Sequence, residues 1–321
     1  MKKLENKRIL FVPFYIQCPH LRYSASARIR AEWPAKYIGA SMMAPEDTGA
    51  KLSVYDLVIF QKCYNSKFQE VAKIAKEINP DIKLSLDLCD AEWLHREDEL
   101  KAMIERMDFV IASTNQIKKW VQKNFPDKIC YKIPDGHDLD YYGQVHYFQQ
   151  GNEIKVLPIN KVEPMHYIWY GNSGTIASLK AILPTLERIT GKGDTLTIIA
   201  DERARGQVES QKIGVKFIIW GVDTVNDHVR QGNIVLNPRL DMPGYAVKSN
   251  NKTVMAYILG LPCIDRLVND EKGWLSDLIK FRNPDLREKN VKEIRPFMIE
   301  QYSMENIAKI WGKVLDKELH K

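Results

Sequence analysis

The sequence predicts an α/β protein made of two consecutive parallel-sheet domains facing each other across a cleft. Three observations carry this reading. Short apolar runs alternate with longer amphipathic segments, the rhythm of βα units. The rhythm breaks once, between Asp138 and Pro164, where tyrosine, glutamine, glycine and scattered polar residues show no clear period. The chain has 321 residues, and at roughly 150 residues per domain that length accommodates two. Open sheets of this kind bind ligands outside the carboxyl ends of their strands, so candidate residues are sought there.

Arg8 to Pro13 is the first strand, four apolar residues closed by a proline. Ala25 to Tyr37 is a helix with Ser24 or Ser26 as its N-cap. Leu57 to Phe60 is a buried strand, and Phe68 to Ile78 a helix stopped at Asn79-Pro80. Lys83 to Leu88, Phe109 to Ala112 and Cys130 to Ile133 are strands. Glu97 to Met107 and Gln116 to Asn124 are the helices between them, the second capped from Ser113-Thr114-Asn115. Pro134-Asp135-Gly136 is a turn. After the break, His166 to Tyr170 is a strand, Gly171 to Gly174 a loop, and Thr175 to Ile189 a helix that Pro184 interrupts. Thr195 to Ala200, Val215 to Trp220, Ile234 to Leu236 and Leu261 to Ile264 are strands. Val222 to Gln231 and Asn251 to Leu259 are helices, and Met304 to Leu319 is a long amphipathic one.

Composition narrows the class. Apolar residues make up 45% and charged residues 27%, ordinary for a globular protein and unlike a disordered or collagenous chain. No apolar run approaches the roughly 20 residues of a membrane span. The charged start runs directly into Ile9-Leu10-Phe11-Val12 and Pro13, a strand rather than a signal-peptide core. Cys18, Cys63, Cys89, Cys130 and Cys263 are too scattered for a zinc knuckle or redox pair and read as small hydrophobes in a reducing cytoplasm. His20, His95 and His137 are isolated, so no metal site is expected. Net charge is +6 and is spread over both halves. Its local concentration is Lys2, Lys3, Lys7, Arg8, Arg22, Arg28, Arg30 and Lys36 against Glu5 and Glu32. That cluster suits an anionic partner (nucleotide, nucleic acid or membrane surface) or a solvated tail with one basic helix face. Arg28 and Arg30 are read as a solvated basic face, with facing an anionic ligand across the cleft as the alternative.

Two segments carry chemistry. Gly171-Asn172-Ser173-Gly174 joins a strand to a helix, where glycine permits close backbone approach and free N–H groups can meet phosphate. It lacks the P-loop ending and the dinucleotide fingerprint, which counts against a kinase, an NTPase or a dehydrogenase. Lys248-Ser249-Asn250-Asn251-Lys252 leads into a helix, a charge and donor set for a diphosphate, or equally a capped helix with a solvated lysine. Asp87 and Asp90 stand at a strand's end beside Trp93, as an acceptor-facing or general-base carboxylate would, or equally as turn and helix-capping acids. The remaining tryptophans read as core.

These pieces resemble the group-1-type glycosyltransferases of the B fold, two Rossmann-like domains using nucleotide-sugar donors. The matching stretches are Tyr55 to Phe60, Asp108 to Thr114, Ile133 to Asp138, Ile168 to Gly174, Phe217 to Gly221, Asn233 to Pro238, Lys248 to Ile264 and Tyr302 to Leu315. The resemblance implies an acceptor-side domain at 1–150, to which a C-terminal helix, 304–321, crosses back, and a donor-binding domain at 151–303. It implies a UDP- or other NDP-sugar donor with Gly171, Asn172 and Ser173 bordering the diphosphate. Lys248, Ser249, Asn250, Asn251 and Lys252 would then lie at phosphates and ribose, stabilising the leaving group without a metal. The acceptor would be a saccharide, a lipid-linked or a small molecule, with peripheral membrane contact compatible. Retention of configuration is expected over inversion. The chain departs from the family where two glutamates usually stand: Pro243 and Met255 occupy those positions, and Asp241 is the nearest acid. Two alternatives follow. The basic N-terminal cluster motivates a transferase acting on modified bases of viral DNA. The missing glutamates motivate a non-catalytic nucleotide-sugar-binding protein.

Overall fold

The computed structural model describes residues 7–14, 24–44, 50–143 and 164–321. Lys2, Lys3, Glu5, Cys18, His20 and Arg22, with most of the aperiodic stretch after Asp138, lie outside the described residues. The chain forms two compact units. Unit 1 comprises Met1–Asp138, Ala246–Ser249 and Gln301–Lys321; unit 2 comprises Leu139–Tyr245 and Asn250–Glu300.

Unit 1 holds the strands β1 (Ile9–Pro13), β2 (Ser41–Met42), β3 (Leu57–Gln61), β4 (Lys83–Leu88), β5 (Phe109–Ala112) and β6 (Ile129–Lys132). They form one parallel sheet in the order β2-β1-β3-β4-β5-β6. All five residues of β1 and of β3 are buried, as expected of parallel strands covered on both faces. Helices α3 (Ser66–Ile78) and α5 (Asn115–Asn124) are capped by Asn65 and Thr114, whose side-chain oxygens accept from Phe68 N–H and Ile117 N–H. Between them, α4 (Trp93–Arg106) starts earlier than its sequence pattern indicated and carries a non-helical Arg96.

The first helical segment departs from the expected regular helix. It runs as α1 (Ala25–Ala27), a π-helical turn Arg28–Glu32, and α2 (Trp33–Ile38). Pro34 supplies no N–H to the preceding turn, which interrupts the ordinary ladder there. The reading of Arg30 as a solvated basic side chain is overturned. Arg30 is 1% exposed. Its guanidinium grips the wholly buried Asp87 through both oxygens, and it donates to Asp135 Oδ1 at 3.2 Å and to the Ile133 carbonyl at 2.7 Å. Burial opposes its charge, but the two carboxylates outweigh burial and keep it protonated. Arg28 is also buried, 6.0 Å from the Trp33 ring centroid.

The terminal helix Met304–Leu319 belongs to unit 1. Trp311, fully buried, meets Phe11 of β1 edge-on at 5.4 Å, and Arg30 lies 5.5 Å from its ring. His137 N–H donates to the Tyr302 carbonyl at 2.7 Å, and Met304 N–H to the His137 carbonyl at 2.8 Å. Gly136 makes this approach feasible, since a Cβ there would stand 2.6 Å from Met304 Sδ.

Unit 2 holds β7 (His166–Tyr170), β8 (Thr195–Ala200), β9 (Gly214–Ile219), β10 (Ile234–Arg239) and β11 (Cys263–Leu267), all parallel in the order β11-β10-β7-β8-β9. Its helices are α6 (Ile176–Ile189), α7 (Val225–Arg230), α8 (Pro243–Ala246), α9 (Asn251–Ile258), α10 (Glu271–Lys280) and α11 (Pro284–Tyr302), of which α8 and α11 end in residues assigned to unit 1. Trp169 and Trp274 sit fully buried in its core with Leu179, Leu196 and Leu236.

Asp194 anchors the amino edge of this sheet. It accepts from Met165 N–H and Gly191 N–H, both at 2.8 Å, and from Arg282 Nη1 at 2.6 Å. Burial alone would raise its pKa, but these donors outweigh it and hold the carboxyl below its ordinary value. A depressed folded pKa means stabilisation that is complete above the unfolded value of about 3.9 and lost as pH falls through the folded one. Asp194→Asn is therefore expected to cost about 2 kcal/mol at neutral pH in urea titrations. The gap to wild type should close below about pH 4. A gap constant down to acid pH would remove this role.

Candidate functional site

In unit 2 the strand order reverses between β7 and β10, the switch point where open α/β sheets take ligands. Gly171–Gly174 leave β7 there, and Leu240-Asp241 leave β10. Gly171 has no room for a side chain: a Cβ would stand 2.8 Å from both Thr175 Oγ1 and the Trp169 ring. The amides of Gly171, Asn172 and Ser173 are not open donors, contrary to the sequence reading. Gly171 N–H donates to the Ile199 carbonyl at 3.0 Å, Asn172 N–H to Thr175 Oγ1 at 3.4 Å, and Ser173 N–H to Asp201 Oδ2 at 2.6 Å. Gly171, Asn172 and Ser173 thus offer close backbone approach, with the Asp201 carboxylate beside them.

The Lys248–Lys252 run is divided between the units. Lys248 (exposed) and Ser249 belong to unit 1; Asn250, Asn251 and Lys252, all half-buried, belong to unit 2. Two aromatic residues at the end of β7 hold Lys252. Its Nζ lies 5.0 Å from the Trp169 ring centroid and 5.8 Å from that of Tyr170, within cation–π range. Tyr170 OH donates to the Lys252 carbonyl at 2.6 Å, and burial pushes that phenol's pKa up, so it remains a donor at neutral pH. The next residue, Thr253, donates to Asp265 of β11, which also receives a bidentate bond from Arg239 of β10 at 2.6 Å per contact. The first turn of α9 is thereby tied to β7, β10 and β11. A lysine fixed at a helix N-terminus favours an anion. Asp241 is exposed just past β10; Pro243 begins α8, and Met255 is half-buried in α9.

Unit 1 has its own switch point, between β1 and β3. Asp87 is consumed by Arg30 and has no exposed surface. Asp90 differs: its side chain is 39% exposed and receives Lys62 Nζ at 2.7 Å. Lys62 follows β3 directly and was not singled out in the sequence. It is 13% exposed, lies between Asp90 and Glu92 at 2.7 Å from each, and has a φ of 57°. It is the sole non-glycine residue with positive φ among the described residues, a conformation costing about 1 kcal/mol or more. Burial opposes its charge, but the surrounding anionic groups hold its ammonium well above the ordinary lysine value. Tyr64 OH donates to Glu92 at 2.5 Å. Trp93 is stacked on Trp120 with centroids 4.6 Å apart and planes 7° from parallel.

No protein-family model matches the chain, and no curated protein matches it in sequence. Solved structures do match along nearly its whole length. A glycosyltransferase from Rickettsia africae ESF-5 superposes with a TM-score of 0.64 at 10% identity, over 98% of this chain and 99% of that one. The trehalose-6-phosphate synthase OtsA gives 0.64 at 8% identity, over 96% and 98%. A trehalose-6-phosphate structure from E. coli bound with UDP-2-fluoro glucose gives 0.60 at 8% identity, over 96% and 99%. The fold is the glycosyltransferase B fold. Within the B fold, the two strand-end clusters occupy separate units, Lys62 and Asp90 in one, Lys252 and Asp241 in the other. Among the described residues, no helix is long and apolar enough to cross a membrane, and no three His, Cys, Asp or Glu side chains gather as a metal site.

Proposed function

We propose that this chain is a glycosyltransferase that takes a sugar from a UDP- or related nucleotide-sugar donor and passes it to a hydroxyl acceptor. The observation that carries the reading is Lys252, pinned at the start of α9 by Trp169 and Tyr170 at the unit 2 switch point. The B-fold neighbours, one of them bound with a UDP-sugar, support it. Lys252 and Lys248 neutralise the diphosphate as its bond to the anomeric carbon breaks. The acceptor oxygen forms the new bond to that carbon and gives its proton to a carboxylate, a role we assign to the exposed Asp90 rather than to the wholly buried Asp87. Asn250, Asn251 and Ser249 serve the phosphates and ribose, Gly171, Asn172 and Ser173 the close approach, and Asp241 remains the acid nearest the missing family glutamates. Because lysines supply the positive charge, transfer proceeds without a metal. We take retention over inversion, with the acceptor oxygen arriving on the face that the diphosphate leaves, which the anomeric configuration of the product decides.

UDP and UDP-sugars at saturating concentration are expected to raise the melting temperature, while free uridine does so far less. If no nucleoside diphosphate or sugar nucleotide shifts it, the donor reading fails. Donor binding without hydrolysis or transfer over a broad acceptor panel leaves the fold as a binding module.

A further inference from the structure

The end of β4 in unit 1 holds more than one acid. Lys62, behind, contacts Asp90 and Glu92, and the 39% exposed Asp90 carboxylate stands in front of it. Asp90 uses Oδ2 for Lys62 and for the Cys89 thiol; Oδ1 has no hydrogen-bond partner among the described residues. Gln61, wholly buried at the end of β3, lies with its amide 3.9 Å from the same Cys89 sulfur. Its Oε1 is unpartnered among the described residues, and turning the amide over would strand its NH₂ instead. Gln61 Oε1 is itself enclosed, so the group that faces a ligand is the exposed Asp90 carboxylate, whose second oxygen can accept from a hydroxyl.

We propose that Lys62 is the positioning residue of a polyol subsite at the carboxyl ends of β3 and β4, holding Asp90 so that its free oxygen receives a hydroxyl of a neutral saccharide. The proposal rests on the transferase reading only in making that hydroxyl the nucleophile; the binding stands apart from it. Charge selects the class. Two carboxylates against one lysine leave no surplus positive charge, so a phosphorylated or otherwise anionic sugar is disfavoured. The stacked, partly exposed Trp93 and Trp120 supply an aromatic surface at the same strand end, the usual companion of polar groups in a site for a small ligand.

Lys62→Gly separates this role from a structural one. Glycine adopts positive φ freely, so the variant relieves the backbone while deleting the ammonium. Tryptophan fluorescence of the full chain is titrated with methyl glucoside, N-acetylglucosamine and glucose 6-phosphate, with and without saturating UDP. A saturable change with a neutral sugar is expected. It should weaken about tenfold or more in Lys62→Gly, and be partly restored in Lys62→Arg. The UDP-induced thermal shift should be unchanged in both variants. Three results overturn the proposal: no neutral sugar binds, glucose 6-phosphate alone binds, or Lys62→Gly binds as wild type does. If a neutral sugar binds but UDP gives no shift, the subsite stands and the donor reading falls.

Discussion

Replacing Arg30 with methionine will destabilise unit 1 by about 4 kcal/mol, the range for breaking a buried ion pair by removing one partner. The reason is what remains. Asp87 has no exposed surface, and without the guanidinium it is a buried charge facing Asp135, which is 4% exposed. The Ile133 and Pro134 carbonyls lose their donor as well, and the Trp311 ring loses the cation beside it. For a unit of this size the thermal transition should fall by about 10 °C. The double variant Arg30→Met, Asp87→Leu is expected to recover most of the loss, because an apolar pair can replace a buried ion pair at little cost. Calorimetry of the two single variants and the double forms the cycle. A single Arg30→Met variant within about 1 kcal/mol of wild type would mean the network contributes no more than an exposed pair.

Lys252→Met should weaken UDP binding tenfold to about a hundredfold, the loss of one charge-assisted bond to phosphate, and change the melting temperature little. Methionine retains most of the stem packed on Trp169 and Tyr170 and removes the charge. Lys248→Ala should act in the same direction, and the two together should flatten the salt dependence of binding. Tyr170→Phe keeps the ring and deletes only the bond to the Lys252 carbonyl, so its effect should be about 1 kcal/mol. Titrations with UDP and with uridine distinguish a phosphate role from a general one. Uridine affinity should survive Lys252→Met. Equal losses for both ligands, or a UDP affinity within twofold of wild type, would sink the assignment.

What could be read in advance follows from physics on two scales. Parallel strands buried on both faces are continuous apolar runs, so Leu57–Gln61 and Thr195–Ala200 announce themselves. Helix caps act over three residues, so Thr114 was legible too. Ser41–Met42 was not, being two exposed residues that pair only because β1 is there. Nor was α11, whose charged residues and internal Pro296 blur any apolar face. At the sites, the lysine-rich lead-in to α9 was visible as composition, but Trp169 and Tyr170 looked like core, and their second duty appears only when α9 packs beside β7. Arg30 and Lys62 were opaque for one reason. Their partners Asp87, Asp135, Asp90 and Glu92 lie 28 to 105 residues away, and nothing in the local sequence joins them.

The return of residues 301–321 to unit 1 sets an order on synthesis. As the chain leaves the ribosome, the β1–β6 sheet emerges first, yet the surface that receives Trp311 stays bare until residues 301–321 are made. Unit 2 follows and has every one of its residues by Glu300. The segment made second is therefore the first to have all its parts. At 5–20 residues per second, the earlier sheet waits roughly ten seconds or more with Phe11 and the Arg30 pocket uncovered. A nascent chain stopped before Gln301 is therefore expected to bind chaperones through that uncovered surface, while its second half is already protease-resistant.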